Sequence, residues 1–245
     1  MSRRSLFKSS NPMMSNEKLA KVSGLARRGE VMTVQGAVNK TFILASIMLT
    51  TAYFGFMYPS SLFMWGGMIG ALIMVVWASF KPHMSPILAP IYAAFEGLFV
   101  GAISYMYAGI GNGLIFQAVT LTMAILFAML FLYKTGIIKV TEKLRSGIMI
   151  ATGGIMLVYL LNMVLHMFGM NVPYLHEGGM IGIGISLFII GIASMNLLLD
   201  FDFFDKGAAS GAPSYMEWFA GMGLLVTLVW IYIEILRLLA VLNRD

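Results

Sequence analysis

GMIGIGISLFIIGIASMNLLLD, residues 179–200, runs for twenty-one residues without a charge before it meets Asp200. As a helix it is about 33 Å long, close to the thickness of a bilayer's hydrocarbon core. Lipid leaves a backbone no hydrogen-bond partner but itself, so such a segment is read as a membrane-spanning helix. Six further apolar runs share this character, at about 41–59, 61–80, 85–107, 113–133, 147–168 and 215–241. Only Tyr58-Pro59-Ser60 separates the first two, which implies a tight helical hairpin. The expected fold is therefore an all-α membrane protein of seven spans, with a basic tail over residues 1–40 and a helical domain over 41–245.

Composition agrees with that reading. Hydrophobic residues make up 59% of the 245, charged residues 11%, and mean hydropathy is +0.85. A soluble domain carries about 25% charge, and this chain has too little polar surface to cover a water-soluble body. The absence of cysteine excludes disulfides, thiolate metal centres and a cysteine nucleophile.

The net charge of +5 could suggest a nucleic-acid partner, but the placement of the basic residues explains it otherwise. Fourteen of the sixteen Lys and Arg fall in the tail or in the loops on its side of the spans; Arg237 and Arg244 are the exceptions. The positive-inside bias then puts the N-terminus in the cytoplasm and the C-terminus outside. The tail has no apolar signal-peptide core and reads as a cytoplasmic segment, either solvated or lying on anionic lipid.

Ionisable residues within apolar runs are the informative exceptions, since each costs about 2.5–3.5 kcal/mol at a helix centre on insertion scales. Glu96 sits mid-span in Phe95-Glu96-Gly97-Leu98 with no basic residue one turn away. It either faces a wet cavity as an ion or proton ligand, or stays neutral on a neighbouring helix. Pro90, one turn into that span and six residues before Glu96, is expected to kink it.

A second concentration, Asp200, Asp202, Asp205 and Lys206 followed by Glu217, joins spans six and seven at the cytoplasmic face. Asp200, Asp202 and Glu217 offer the oxygen-rich chemistry that Ca2+ prefers, with helix-dipole complementation as the competing account of Glu217. Further along span seven, Thr227 and Glu234 lie on one stripe, and Glu234 is placed to pair with Arg237 at i,i+3. G-x-x-x-G pairs at Gly66/Gly70, Gly97/Gly101 and Gly178/Gly182 predict close helix packing.

Enzyme signatures are missing: the chain has neither G-x-S-x-G nor H-E-x-x-H, and His83, His166 and His176 are scattered. No enzyme activity, nucleic-acid partner or organic cofactor is expected.

With these residues in view, the chain resembles the bacterial branch of the Bax inhibitor 1 family. The resemblance is carried by Met32-Thr33-Val34-Gln35-Gly36, Glu96-Gly97, the acidic end of span six at Asp200, and Glu217-Trp218 followed by Thr227, Trp230, Tyr232, Glu234 and Leu236-Arg237. It implies six helices around a central seventh, a location in the bacterial inner membrane, and a pH-sensitive Ca2+ leak controlled by two carboxylates on the last two helices. Asp200 matches the first carboxylate. Where the second is implied, this sequence has Leu224, Leu225, Val226 and Thr227.

Two functions follow as expectations. One is a proton-modulated cation leak, for Ca2+, through Glu96 and the mouth carboxylates. The other is a non-conducting regulator that binds a membrane protease or another integral membrane protein.

Overall fold

The computed structural model describes residues 31–168 and 179–243. It contains seven helices long and apolar enough to cross a membrane. They are α1 (Val34–Met57), α2 (Ser61–Phe80), α3 (Ser85–Ala108), α4 (Leu114–Lys134), α5 (Glu142–Met167), α6 (Met180–Ala209) and α7 (Tyr215–Leu242). A single 3-10 turn, Pro82–Met84, links α2 to α3.

The last helix is the most buried. Of the six helices the family resemblance implies around it, four do pack on it: α7 meets α1, α3, α4 and α6 and, among the described residues, makes no extended contact with α2 or α5. Leu225, Ile231, Ile235 and Leu236 on α7 are all 3% exposed or less, whereas the outer helices turn residues such as Phe42, Leu62 and Phe116 outward. In lipid those outward side chains meet acyl tails, so their exposure carries no hydrophobic cost.

Three helix boundaries differ from the sequence reading, the smallest difference being the start of α5 at Glu142 rather than about 147. α1 begins at Val34, inside the segment read as tail, because Thr33 caps it and accepts the Gly36 N–H at 2.9 Å. α6 does not stop at Asp200; it continues to Ala209. No glycine or proline interrupts it before Gly207, so Asp200 lies nine residues, roughly 13 Å, from the helix end. α3 runs through Pro90 as one continuous helix.

Small residues set the packing of the first three helices. A Cβ on Gly97 would strike Thr51 and Met48 of α1, and one on Gly101 would strike the Ala52 carbonyl. On α2, Gly67 and Gly70 face Phe95 and Phe99 of α3, while Gly66 meets only its own helix. The predicted Gly97/Gly101 contact is therefore present, and the α2 contact is shifted by one residue. Gly178 lies outside the described residues, as do residues 1–30 of the tail.

Candidate functional site

α5 is the loosest member of the bundle. Among the described residues it makes extended contact with α6 only. Its polar residues Arg145, Thr152 and Tyr159 recur at seven-residue spacing, two helical turns, and therefore share one face. That face meets polar groups of α6 and α7 at three levels.

At the level nearest the Lys134 and Glu142 ends, Arg145 donates to Asp202, which Lys206 also approaches at 2.9 Å. Lys206 reaches Glu142 at 3.9 Å, and Asp205 holds Lys134 at 3.5 Å and the Tyr133 hydroxyl at 2.8 Å. The acidic end of α6 is thus met by Arg145 and Lys134 as well as by the local Lys206. In the sequence these two cations lie 57 and 71 positions away from their partners.

Midway, the Asn196 amide donates to Thr152 Oγ1 at 2.8 Å and to the Ile192 carbonyl at 2.9 Å. Beside it a cavity of about 290 Å³ is lined by Arg145, Asn196, Asp200, Phe203, Phe219 and Gly223, among others. Asp200 faces Thr227 of α7, yet among the described residues its buried Oδ2 has no hydrogen-bond partner. Arg145 Nε is likewise buried and unpartnered. A carboxylate oxygen in this condition retains its full capacity to accept a proton or coordinate a cation.

At the far level, the Tyr159 hydroxyl donates to Glu234, and Arg237 reaches Glu234 Oε2 at 3.2 Å and Tyr159 Oη at 3.1 Å. Glu234 is 1% exposed. The expected i,i+3 pair is present, extended by a tyrosine that the sequence reading did not single out. A polar seam therefore spans the bundle between α5 and the α6–α7 pair, with an ion-paired cluster at each end and Asp200 between them.

The remaining candidates lie elsewhere. Glu96 is half-buried at the centre of α3, one turn from Tyr92, and makes no hydrogen bond or ion pair among the described residues. Thr227 is buried and donates to the Gly223 carbonyl at 3.3 Å.

Glu217, in the first turn of α7, accepts from the Thr33 N–H at 2.9 Å and the Thr33 hydroxyl at 3.1 Å. Its charge therefore sits at the N-terminal ends of two helices, α1 and α7, where both dipoles favour it. The Met32 N–H donates to the Ala212 carbonyl at 2.7 Å, stitching the start of α1 to the α6–α7 turn.

Asp200, Asp202 and Glu217, expected to share a cation, thus meet three different partners. Among the described residues no group of three or more His, Asp or Glu side chains is placed to hold a metal ion.

The Glu217 cap makes a specific prediction. Gly36 leaves room for the carboxylate, and a Cβ there would overlap it. Gly→Ala in a helix interior ordinarily stabilises by about 1 kcal/mol. Here Gly36→Ala should instead destabilise by about 1–2 kcal/mol, the worth of a cap. Glu217→Gln, which keeps an acceptor oxygen, should cost less. Unfolding in mixed micelles measures both; a stabilised Gly36→Ala would show that the cap contributes nothing.

The sequence model of a family described as Bax inhibitor 1 like matches residues 7–244, essentially the whole chain. Comparison with curated proteins and with solved structures finds no match.

Proposed function

The chain belongs to the Bax inhibitor 1 like family, and from that premise we propose that it is a proton-modulated cation leak, with Ca2+ as its principal cation and the α5 seam as its route. One observation carries the reading: the unpartnered Asp200 Oδ2 beside a cavity in the middle of an apolar bundle. Leaving a buried acceptor unsatisfied is costly, and a hard cation or a proton supplies what it lacks.

The family resemblance implies a second carboxylate opposite Asp200, and Thr227 stands there instead. A hydroxyl can coordinate a cation through oxygen but does not repel Asp200. Proton control in this chain therefore rests on Asp200 itself rather than on a shared proton between two acids. Protonation removes the seam carboxylate charge that, among the described residues, no ion pair offsets, so flux falls as pH is lowered.

The ion-paired clusters close the two ends. Arg145 and Lys206 hold Asp202 at one, and Arg237 holds Glu234 at the other. Opening requires α5 to move from α6, which its sparse contacts permit.

Flux of Ca2+, Na+ and K+ from vesicles containing the purified chain, measured across several pH values, tests this reading. Ca2+ flux that rises with pH is the expected result. Vesicles no leakier than protein-free controls at every pH would overturn it and favour a non-conducting regulator that binds an integral membrane partner.

A further inference from the structure

Among the described residues α1 and α4 make no extended contact, although both pack on α7. The gap between them is a slot with an exposed rim and a buried floor. Phe42 and Leu49 of α1 are 69% and 64% exposed, whereas Leu225 and Leu228 of α7, beneath them, are 1% and 9% exposed. Two cavities fill the slot, of about 210 and 350 Å³, and they meet at Ala45, Leu225 and Leu228. The smaller runs along α1 from Val34 to Ala45, roughly 16 Å of helix, or one leaflet of a hydrocarbon core about 30 Å thick. Its lining is apolar except for Thr41, whose hydroxyl donates to the Ala37 carbonyl of its own helix, and the end where Lys134 and Asp205 stand.

We propose that this slot binds one acyl chain of an aminophospholipid, with the headgroup phosphate on Lys134 and its ammonium on Asp205. The surrounding bilayer supplies the chain, and the rim charges select the head. Lys134 and Asp205 lie 3.5 Å apart, with side chains 58% and 39% exposed, so one positive and one negative group face the headgroup layer together. An anionic head would satisfy Lys134 while facing the Asp205 carboxylate. A choline head carries the right charges, but its quaternary nitrogen has no N–H to donate to Asp205. A primary ammonium beside a phosphate matches both. The acyl slot does not overlap the Asp200 cavity, which draws on neither α1 nor α4, although Lys134 and Asp205 at its rim also belong to the ion-paired cluster at one end of the seam.

The test is native mass spectrometry of the full chain after exchange into an equimolar mixture of phosphatidylethanolamine, phosphatidylcholine and phosphatidylglycerol with identical acyl chains. Wild-type protein should retain phosphatidylethanolamine over each of the others by about three- to fivefold, the worth of a part-exposed ion pair. Lys134→Gln and Asp205→Asn should retain lipid without that preference. Ala45→Phe, which fills the junction of the two cavities, should lose retained lipid of every kind, and Leu126→Phe obstructs the slot from the α4 wall should the first variant fail to fold. Equal retention of the three lipids by wild type, preferential retention of phosphatidylglycerol, or an unchanged preference in both charge variants would overturn the proposal.

Discussion

Asp200→Asn is expected to lower Ca2+ flux in proteoliposomes by tenfold or more while the protein folds and extracts as wild type does. The substitution is nearly isosteric, so the contact with Thr227 and the shape of the cavity are retained. What disappears is charge. Two unit charges 4 Å apart interact by about 4 kcal/mol at an effective dielectric of 20, and a divalent ion doubles that figure before solvation is counted. A residual effect of only about 1.4 kcal/mol already amounts to tenfold. The variant should also lose pH dependence, because Asn cannot take up the proton. Wild-type flux in Asp200→Asn would move the route away from the seam. Glu96, a mid-span carboxylate that makes no hydrogen bond among the described residues, would then be the next candidate.

Glu234→Ala is expected to be the most destabilising single change in the polar set, by about 3–5 kcal/mol, because it strands a buried charge. Arg237 would remain within the bundle without its carboxylate, and the Tyr159 hydroxyl would lose its acceptor. Removing both charges together, as Glu234→Leu with Arg237→Leu, should recover most of the loss, since apolar replacements of a buried pair are often neutral or stabilising. Reversible unfolding in mixed micelles gives the comparison. A double variant as unstable as Glu234→Ala would mean that the pair itself, rather than the stranded cation, holds α7 to α5.

What could be read from the sequence divides along the range of the interaction. Seven spans were legible because apolar length is a local property, and the Glu234–Arg237 pair because its members lie one turn apart. Asp202 looked under-compensated because Arg145 reaches it from another helix. Glu217 looked like a mouth acid because Thr33, its partner, lies 184 residues away. The end of α6 was misplaced for a related reason: polar residues past Asp200 suggested an interface, but helix continuation depends on backbone breakers, and none comes before Gly207.

One signal was present and unread. Arg145, Thr152 and Tyr159 mark a polar stripe by their spacing alone, and a search of each span for polar residues seven apart would have found the α5 face of the seam.

The seam as a wetted cation route is the central claim, and substituted-cysteine labelling addresses it most directly because the chain has no native cysteine. Thr152→Cys places a thiol on the seam beside Asn196, and Ile150→Cys places one on the outward face of the same helix, where Ile150 is 76% exposed to lipid. A small cationic thiol reagent applied to proteoliposomes should modify Thr152→Cys and block its Ca2+ flux, while Ile150→Cys stays unmodified and conducting. Protection of Thr152→Cys under conditions where flux is measurable would contradict the account.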